Sequence, residues 1–197
     1  MIGNKLEQAI ISVFQDDLSS TFSINAISKK LEKSYPIINK KSNFFLKEGV
    51  LRKINIGKAY QCFLNLQNDK AKLFMSINEI NKRELFIQKT KGFEHVMDEI
   101  SQLARKFPID SILLYKKTLI FIMPDTRHKS DIMELSVLTK DYNMLFFDKD
   151  AFQEYFLENT DVQKYHLILH GPNIYLDMIA QISDKIMMRS IIRKEDK

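Results

Sequence analysis

Residues 23–66 read SINAISKKLEKSYPIINKKSNFFLKEGVLRKINIGKAYQCFLNL. Ser23 stands where a helix N-cap belongs, and Ile24, Ile27 and Leu31 recur at helical spacing, which predicts a helix over INAISKKLE. The turn KSY leads to Pro36, suited to the first position of a further helix because its missing N–H would find no partner there. That helix turns Ile38, Phe45 and Leu46 inward, runs to about Glu48 and stops at Gly49, a C-terminal cap. VLRKINIGKAYQCFLNL then reads as two short strands around Asn55-Ile56-Gly57-Lys58, a hairpin with a basic tip. Upstream, residues 4–17 (NKLEQAIISVFQDD) place Leu6, Ile10, Val13 and Phe14 on one helical face. Three helices and a hairpin follow the order of a winged helix-turn-helix.

From Asn68 to about Lys89 the pattern is again helical (Leu73, Ile77, Ile80, Leu85), a connector or dimerisation helix. Thr90-Lys91-Gly92 marks a boundary, and residues 93–107 form an amphipathic helix through Phe93, Val96, Ile100 and Leu103. After Pro108 the character changes. IDSILLY and TLIFIMP are strands separated by Lys116-Lys117, HKSDIMELSVLTKDY is a helix, NMLFFD a strand and DAFQEYFLEN a helix. YHLILHG is strand-like, and residues 173–193 make a last helix. The chain therefore reads as α+β: a winged helix-turn-helix over 1–67, a connector over 68–91, and a small α/β domain over 92–197.

Composition narrows the function. The chain has 197 residues, 45% hydrophobic and 28% charged, an ordinary globular mixture. No run of about 18 apolar residues is present, so neither a spanning helix nor a secretory signal is expected. A lone Cys62 cannot form an internal disulfide and fits the reducing cytoplasm. The net charge is +5, and residues 1–60 carry all of it, with 10 Lys/Arg against 5 Asp/Glu. The tightest stretch, 24–58, holds nine basic residues opposed only by Glu32 and Glu48. One-sided charge of this kind points to a polyanion.

In a helix-turn-helix the second helix of the motif presents its N-terminal residues to base edges in the major groove. Here Tyr35, Asn39, Lys40 and Asn43 would face outward from it. Asn pairs with adenine and Lys reaches the guanine acceptors. Lys29, Lys30, Lys33, Lys41, Arg52, Lys53 and Lys58 would hold phosphates. The bland alternative is a solvated lysine face, and winged helices also bind proteins or RNA.

STFSINAISKKLEKSYPIINKKSNFFLKEGVLRKINIGKAYQCFLNL resembles the winged-helix half of archaeal proteins that join such a domain to a minimal nucleotidyltransferase fold. IDSILLY resembles the first core strand of that fold, YNMLFFDKDAFQEYFLEN its later strand and helix, and KYHLILHGPNIYLDMIA its closing segment. The resemblance implies a Gly-Ser after the first strand and an Asp-x-Asp on the second in active members, where carboxylates hold divalent metals on a triphosphate. This chain has Lys116-Lys117 and TLIFIMP there, with no carboxylate before Asp125. SDIMEL could be slid into register, leaving Asp131 and Glu134, but Ile132, Leu135 and Leu138 have helical spacing. The resemblance thus implies a catalytically silent second domain.

His166 and His170 could share a metal only on a helix, and no third ligand is evident. Cys62 sits among apolar strand residues as an inert thiol, and no P-loop or Gly-rich dinucleotide loop exists. The reading is a cytoplasmic regulator that binds double-stranded DNA as a homodimer, with no catalytic residue, metal or cofactor and with a protein partner or effector for its second domain. An active nucleotidyltransferase and an antitoxin-like interaction module are the alternatives.

Overall fold

The computed structural model describes residues 5–15, 17–56 and 59–195. The chain divides into two compact units, Met1–Asn78 with Ile179–Lys197, and Glu79–Met178. The divisions fall inside helices α4 (Asp69–Lys89) and α9 (Pro172–Glu195).

In the first unit, α1 (Lys5–Ser12), α2 (Ile24–Lys30) and α3 (Tyr35–Lys47) precede the antiparallel hairpin of β1 (Leu51–Ile56) and β2 (Ala59–Leu64). Phe22 adds an antiparallel bridge to Cys62, so the chain runs helix, bridge, helix, helix, strand, strand. The bridge, a minimal third strand between α1 and α2, was not legible in the sequence because it is one residue long. Ile10, Ile11, Phe14, Ile24, Ile27, Ile38, Phe45, Val50, Leu51, Cys62 and Phe74 are buried. Phe14 meets Phe22 edge-on at 5.4 Å, and Phe45 meets Phe74 at 5.7 Å. The fully buried rings of Phe14, Phe45 and Phe74 each contribute roughly 2–3 kcal/mol.

Two helix ends set the angle of α3. After α3, Gly49 takes the left-handed conformation (φ +71°), Val50 N–H donates to the Phe45 carbonyl and Gly49 N–H to that of Leu46. This is a Schellman cap, and glycine adopts it without strain. The end of α2 closes in the same way: Lys33 N–H donates to the Ser28 carbonyl and Glu32 N–H to that of Lys29. There the left-handed residue is Glu32 (φ +53°), not glycine. The Ser28 hydroxyl, buried, donates to the Lys33 carbonyl at 2.8 Å and fastens the turn.

The second unit holds a four-stranded sheet in the order β5-β4-β3-β6, with β3 Ser111–Tyr115, β4 Thr118–Ile122, β5 Asn143–Phe147 and β6 Leu167–His170. β3 pairs antiparallel with β4 and β6, and β4 pairs parallel with β5. Ile112–Leu114 and Leu119–Ile122 are buried without alternation, so both faces of the sheet centre are covered. On one face Phe93, Ile100 and Leu103 of α5 (Phe93–Lys106) join Ile132, Leu138, Phe121 and Leu169 in a core. Phe152 and Phe156 of α7 (Lys149–Glu158) and Tyr175 of α9 form a second aromatic cluster.

Several sequence expectations are corrected. α1 ends at Ser12, with Val13 and Phe14 buried in the turn that follows, and Ile11 rather than half-buried Leu6 completes the face. α2 ends at Lys30, because the Glu32 turn closes it. α4 buries Ala71, Phe74 and Met75, whereas Leu73 and Leu85 are exposed. The expected helix over 128–142 breaks at Ser136, whose hydroxyl accepts from Leu138 N–H, leaving α6 (Lys129–Leu135) and a 3-10 turn (Val137–Lys140). A short α8 (Thr160–Tyr165) was not expected. Among the described residues no helix is long and apolar enough to cross a membrane.

Candidate nucleic-acid interface

α3 buries Ile38, Ser42 and Phe45. On a 3.6-residue period Lys40 and Lys47 stand opposite that buried stripe, while Tyr35, Asn39 and Asn43 run along its flank. Tyr35, Lys40 and Asn43 are exposed and Asn39 is half-buried. The Asn43 amide donates to the Asn39 side-chain oxygen at 3.0 Å, so the two amides form one ordered pair along that flank. That orientation leaves the Asn39 NH₂ and the Asn43 oxygen for other partners, the donor and acceptor that an adenine edge needs.

The cations separate into groups that the sequence could not distinguish. Lys29, Lys30 and Lys33 are exposed around the turn before α3, and Lys30 lies 4.8 Å over the Phe22 ring. Lys40 is exposed on α3 itself. Lys41, expected among the phosphate contacts, is tied at 2.8 Å to Glu7 of α1, with side chains only 25% and 15% exposed. Its ammonium holds two helices together. Lys53 and Arg52, adjacent in β1, point to opposite faces of the hairpin. Lys53 lies 5.7 Å over Tyr60, while Arg52 lies 5.4 Å over Phe63 beside Leu18, Ser183 and Asp184. Lys58 and Gly57, expected at the hairpin tip, fall outside the described residues.

Tyr60 stands close enough to Tyr35 of α3 for the two phenols to influence each other. Burial is the main cause that raises its phenol above the usual tyrosine range, with Cys62 and Tyr35 adding to it. Tyr35 thus comes near Tyr60 and Lys53 of the hairpin, with Asn39 and Asn43 on the same flank of α3 and Lys40 farther round the helix. Sequence reading missed Lys70, whose ammonium lies 5.1 Å over the exposed Phe44 ring and 3.5 Å from Glu48. Glu32, counted against the basic stretch in the sequence, is exposed among Lys29, Lys30 and Lys33. Cys62 is buried, and its thiol is pushed up to about 11 by that burial, as an inert packing group requires.

In the second unit His166 and His170 sit at the two ends of β6 rather than on one helix, which rules out the shared-ligand geometry considered above. Lys116 and Lys117 form the two-residue turn between β3 and β4, and Lys116 is left-handed (φ +54°). Asp131 and Glu134 lie exposed on α6, and Asp131 accepts at 3.3 Å from the His128 ring.

No protein-family model matches the chain, nor does any curated protein. Among solved structures it is similar to a MarR family protein from Bacillus stearothermophilus, at 5% identity and a TM-score of 0.36, covering 53% of this chain and 74% of that one. It is also similar to MepR, a transcription regulator of the Staphylococcus aureus multidrug efflux pump MepA, at 13% identity and a TM-score of 0.35, covering 51% and 77%.

Proposed function

We propose that the chain is a transcription regulator whose first unit reads duplex DNA through the outward face of α3. The observation that carries this is the Asn39–Asn43 amide pair, held on the flank of α3 between exposed Tyr35 and exposed Lys40, with Lys29, Lys30 and Lys33 at the N-terminal end. The amides supply base contacts, and the lysines and Lys53 supply phosphate contacts. Arg52 belongs to the other side of the hairpin and contributes through packing on Phe63.

The second unit we read as a nucleotidyltransferase-like scaffold that does not transfer nucleotides and that serves self-association or a partner. What supports the silence is the chemistry of β4. Its residues Leu119, Ile120, Phe121 and Ile122 are all fully buried, so no carboxylate and no open face stands where the resemblance places the metal ligands.

Selection from random duplexes tests the proposal, followed by titration of the enriched sequence and a scrambled one. Asn39→Ala is expected to weaken the enriched duplex by about 1–3 kcal/mol and the scrambled one far less. No enrichment, with no salt-dependent binding to any duplex, would sink it. Exposed Ile37 (53%) and Phe44 (39%) on α3 favour a protein partner as the second reading, which that outcome would promote.

A further inference from the structure

The outward side of α3 has two flanks of different chemistry. Lys40 stands nearly opposite the buried Ile38, Ser42 and Phe45. At about 100° per residue, Asn43 lies roughly 60° to one side of Lys40 and Ile37 roughly 60° to the other. Lys40 and Asn43 are exposed, and Ile37 is 53% exposed. One flank therefore offers an amide and the other a branched hydrocarbon.

The composition of the helix says which bases these groups suit. YPIINKKSNFFLK contains no arginine, whose paired contact to guanine is the commonest specific one. Its amides match the adenine edge, and an aliphatic side chain matches the one apolar group that bases present in the major groove, the thymine methyl. Phe44 is the other exposed hydrocarbon side chain of α3, but its ring is already engaged, 5.1 Å from both the Lys41 and the Lys70 ammonium. Phe44 also stands in the third turn, whereas Ile37 stands in the first, and the N-terminal residues of such a helix are the ones that reach base edges.

We propose that Ile37 selects thymine, through its C5 methyl, on the strand opposite the one that Asn43 reads. The proposal rests on the DNA reading above and adds a base to it. A helix lying along the groove turns its two flanks toward the two strands. From Ile37 to Asn43 it rises about 9 Å, roughly two to three base-pair steps. The thymine therefore stands roughly two to three pairs from the adenine at Asn43. Ile37 can neither donate nor accept a hydrogen bond through its side chain. Against thymine it buries a methyl group; against cytosine it finds none and crowds the N4 amino donor, which then loses its water.

Replacing each thymine of the enriched duplex in turn by deoxyuridine, which pairs as thymine does but lacks the methyl, tests this in anisotropy titrations of the full chain. For the wild type one replacement should weaken binding roughly three- to fivefold, the equivalent of one buried methyl group. Ile37→Ala should bind that duplex and its thymine parent alike. Asn43→Ala should keep the difference between them, because it reads another pair. Ile37 is exposed, so Ile37→Ala should leave the urea midpoint unchanged and the comparison is between folded proteins. A wild type indifferent to every replacement would overturn the proposal, and so would an Ile37→Ala variant that still senses the methyl; in both cases the Asn39→Ala result leaves the DNA reading standing. If no duplex is enriched, the DNA reading falls and this proposal falls with it.

Discussion

Glu32→Gly should make the protein both more stable and a stronger DNA binder, and the turn geometry gives the sizes. Glu32 occupies the left-handed position of a Schellman cap at φ +53°, with Lys33 N–H donating to Ser28 and Glu32 N–H to Lys29. A side chain in that conformation costs about 1–2 kcal/mol. Glycine removes the cost but returns about 0.4–1 kcal/mol as greater freedom of the unfolded chain. The net gain is therefore about 0.5–1 kcal/mol, seen as a rise in the urea midpoint of roughly 0.5 M with an unchanged slope. The second effect is electrostatic. Glu32 is exposed among Lys29, Lys30 and Lys33, within a Debye length of the phosphates those lysines would hold. Its loss should tighten duplex binding about two- to fivefold at low salt. Glu32→Gln separates the two: it keeps the strained backbone, so it should tighten binding without stabilising. Anisotropy titrations and urea denaturation of both variants decide it. If Glu32→Gly lowers the midpoint, the α2–α3 turn is not the one described. If neither variant changes DNA affinity, the turn does not approach phosphate.

Three further outcomes are expected. Lys40→Ala should reduce the slope of log affinity against log salt by about one with no change in stability, whereas Lys41→Ala should cost about 1–2 kcal/mol of stability by breaking the Glu7 pair while leaving the slope nearly unchanged. Equal slopes lost in both variants would return Lys41 to the phosphate contacts. Gly171→Ala should abolish soluble expression or cost more than about 3 kcal/mol, since its Cβ would lie 2.0 Å from the Asp110 carbonyl oxygen and its φ is +64°; a variant as stable as wild type would contradict that packing. His166 donates from Nδ1 to the Val162 carbonyl at 2.6 Å, and burial, then Lys82, lower its pKa from 6.5 to about 4. Between those values the unfolded state binds more protons, so stability should fall by roughly 3 kcal/mol as pH drops from 6.5 to 4. His166→Leu should flatten that fall, and an unchanged profile would assign the loss to other groups.

The winged unit was largely legible because its signals are local. Ser23 caps α2 by accepting from Ala26 N–H, Gly49 closes α3, and Pro36 stands in the first turn of α3, one place later than expected because Tyr35 begins the helix. The candidate face followed from one helical period. What stayed hidden depends on contacts between distant residues. Nothing in the spacing of Lys40 and Lys41 says that only the second meets Glu7, 34 residues upstream. Strand alternation parts Arg52 from Lys53, but the sequence could not show that they find different aromatic rings, Phe63 and Tyr60. Glu32 misled the reading of α2 because propensity alone extends a helix through glutamate, whereas the Lys33–Ser28 closure ends it.

The second unit separates backbone form from chemistry. The resemblance places glycine after the first core strand, and here the two-residue turn still needs a left-handed residue, which Lys116 supplies at φ +54°. The next strand differs more deeply. Placing carboxylates on β4 would put them at Leu119–Ile122, which are fully buried, with Phe121 stacked on Phe146 at 5.0 Å. Each unpaired buried carboxylate would cost several kcal/mol, a large share of the stability of any single domain. Substituting Lys116-Lys117 by Gly-Ser would therefore relax the turn without creating a metal site, because the obstacle is the packed strand and not the turn. A sheet filled in this way on both faces is suited to a scaffold, and β5, at its margin, is where it remains open.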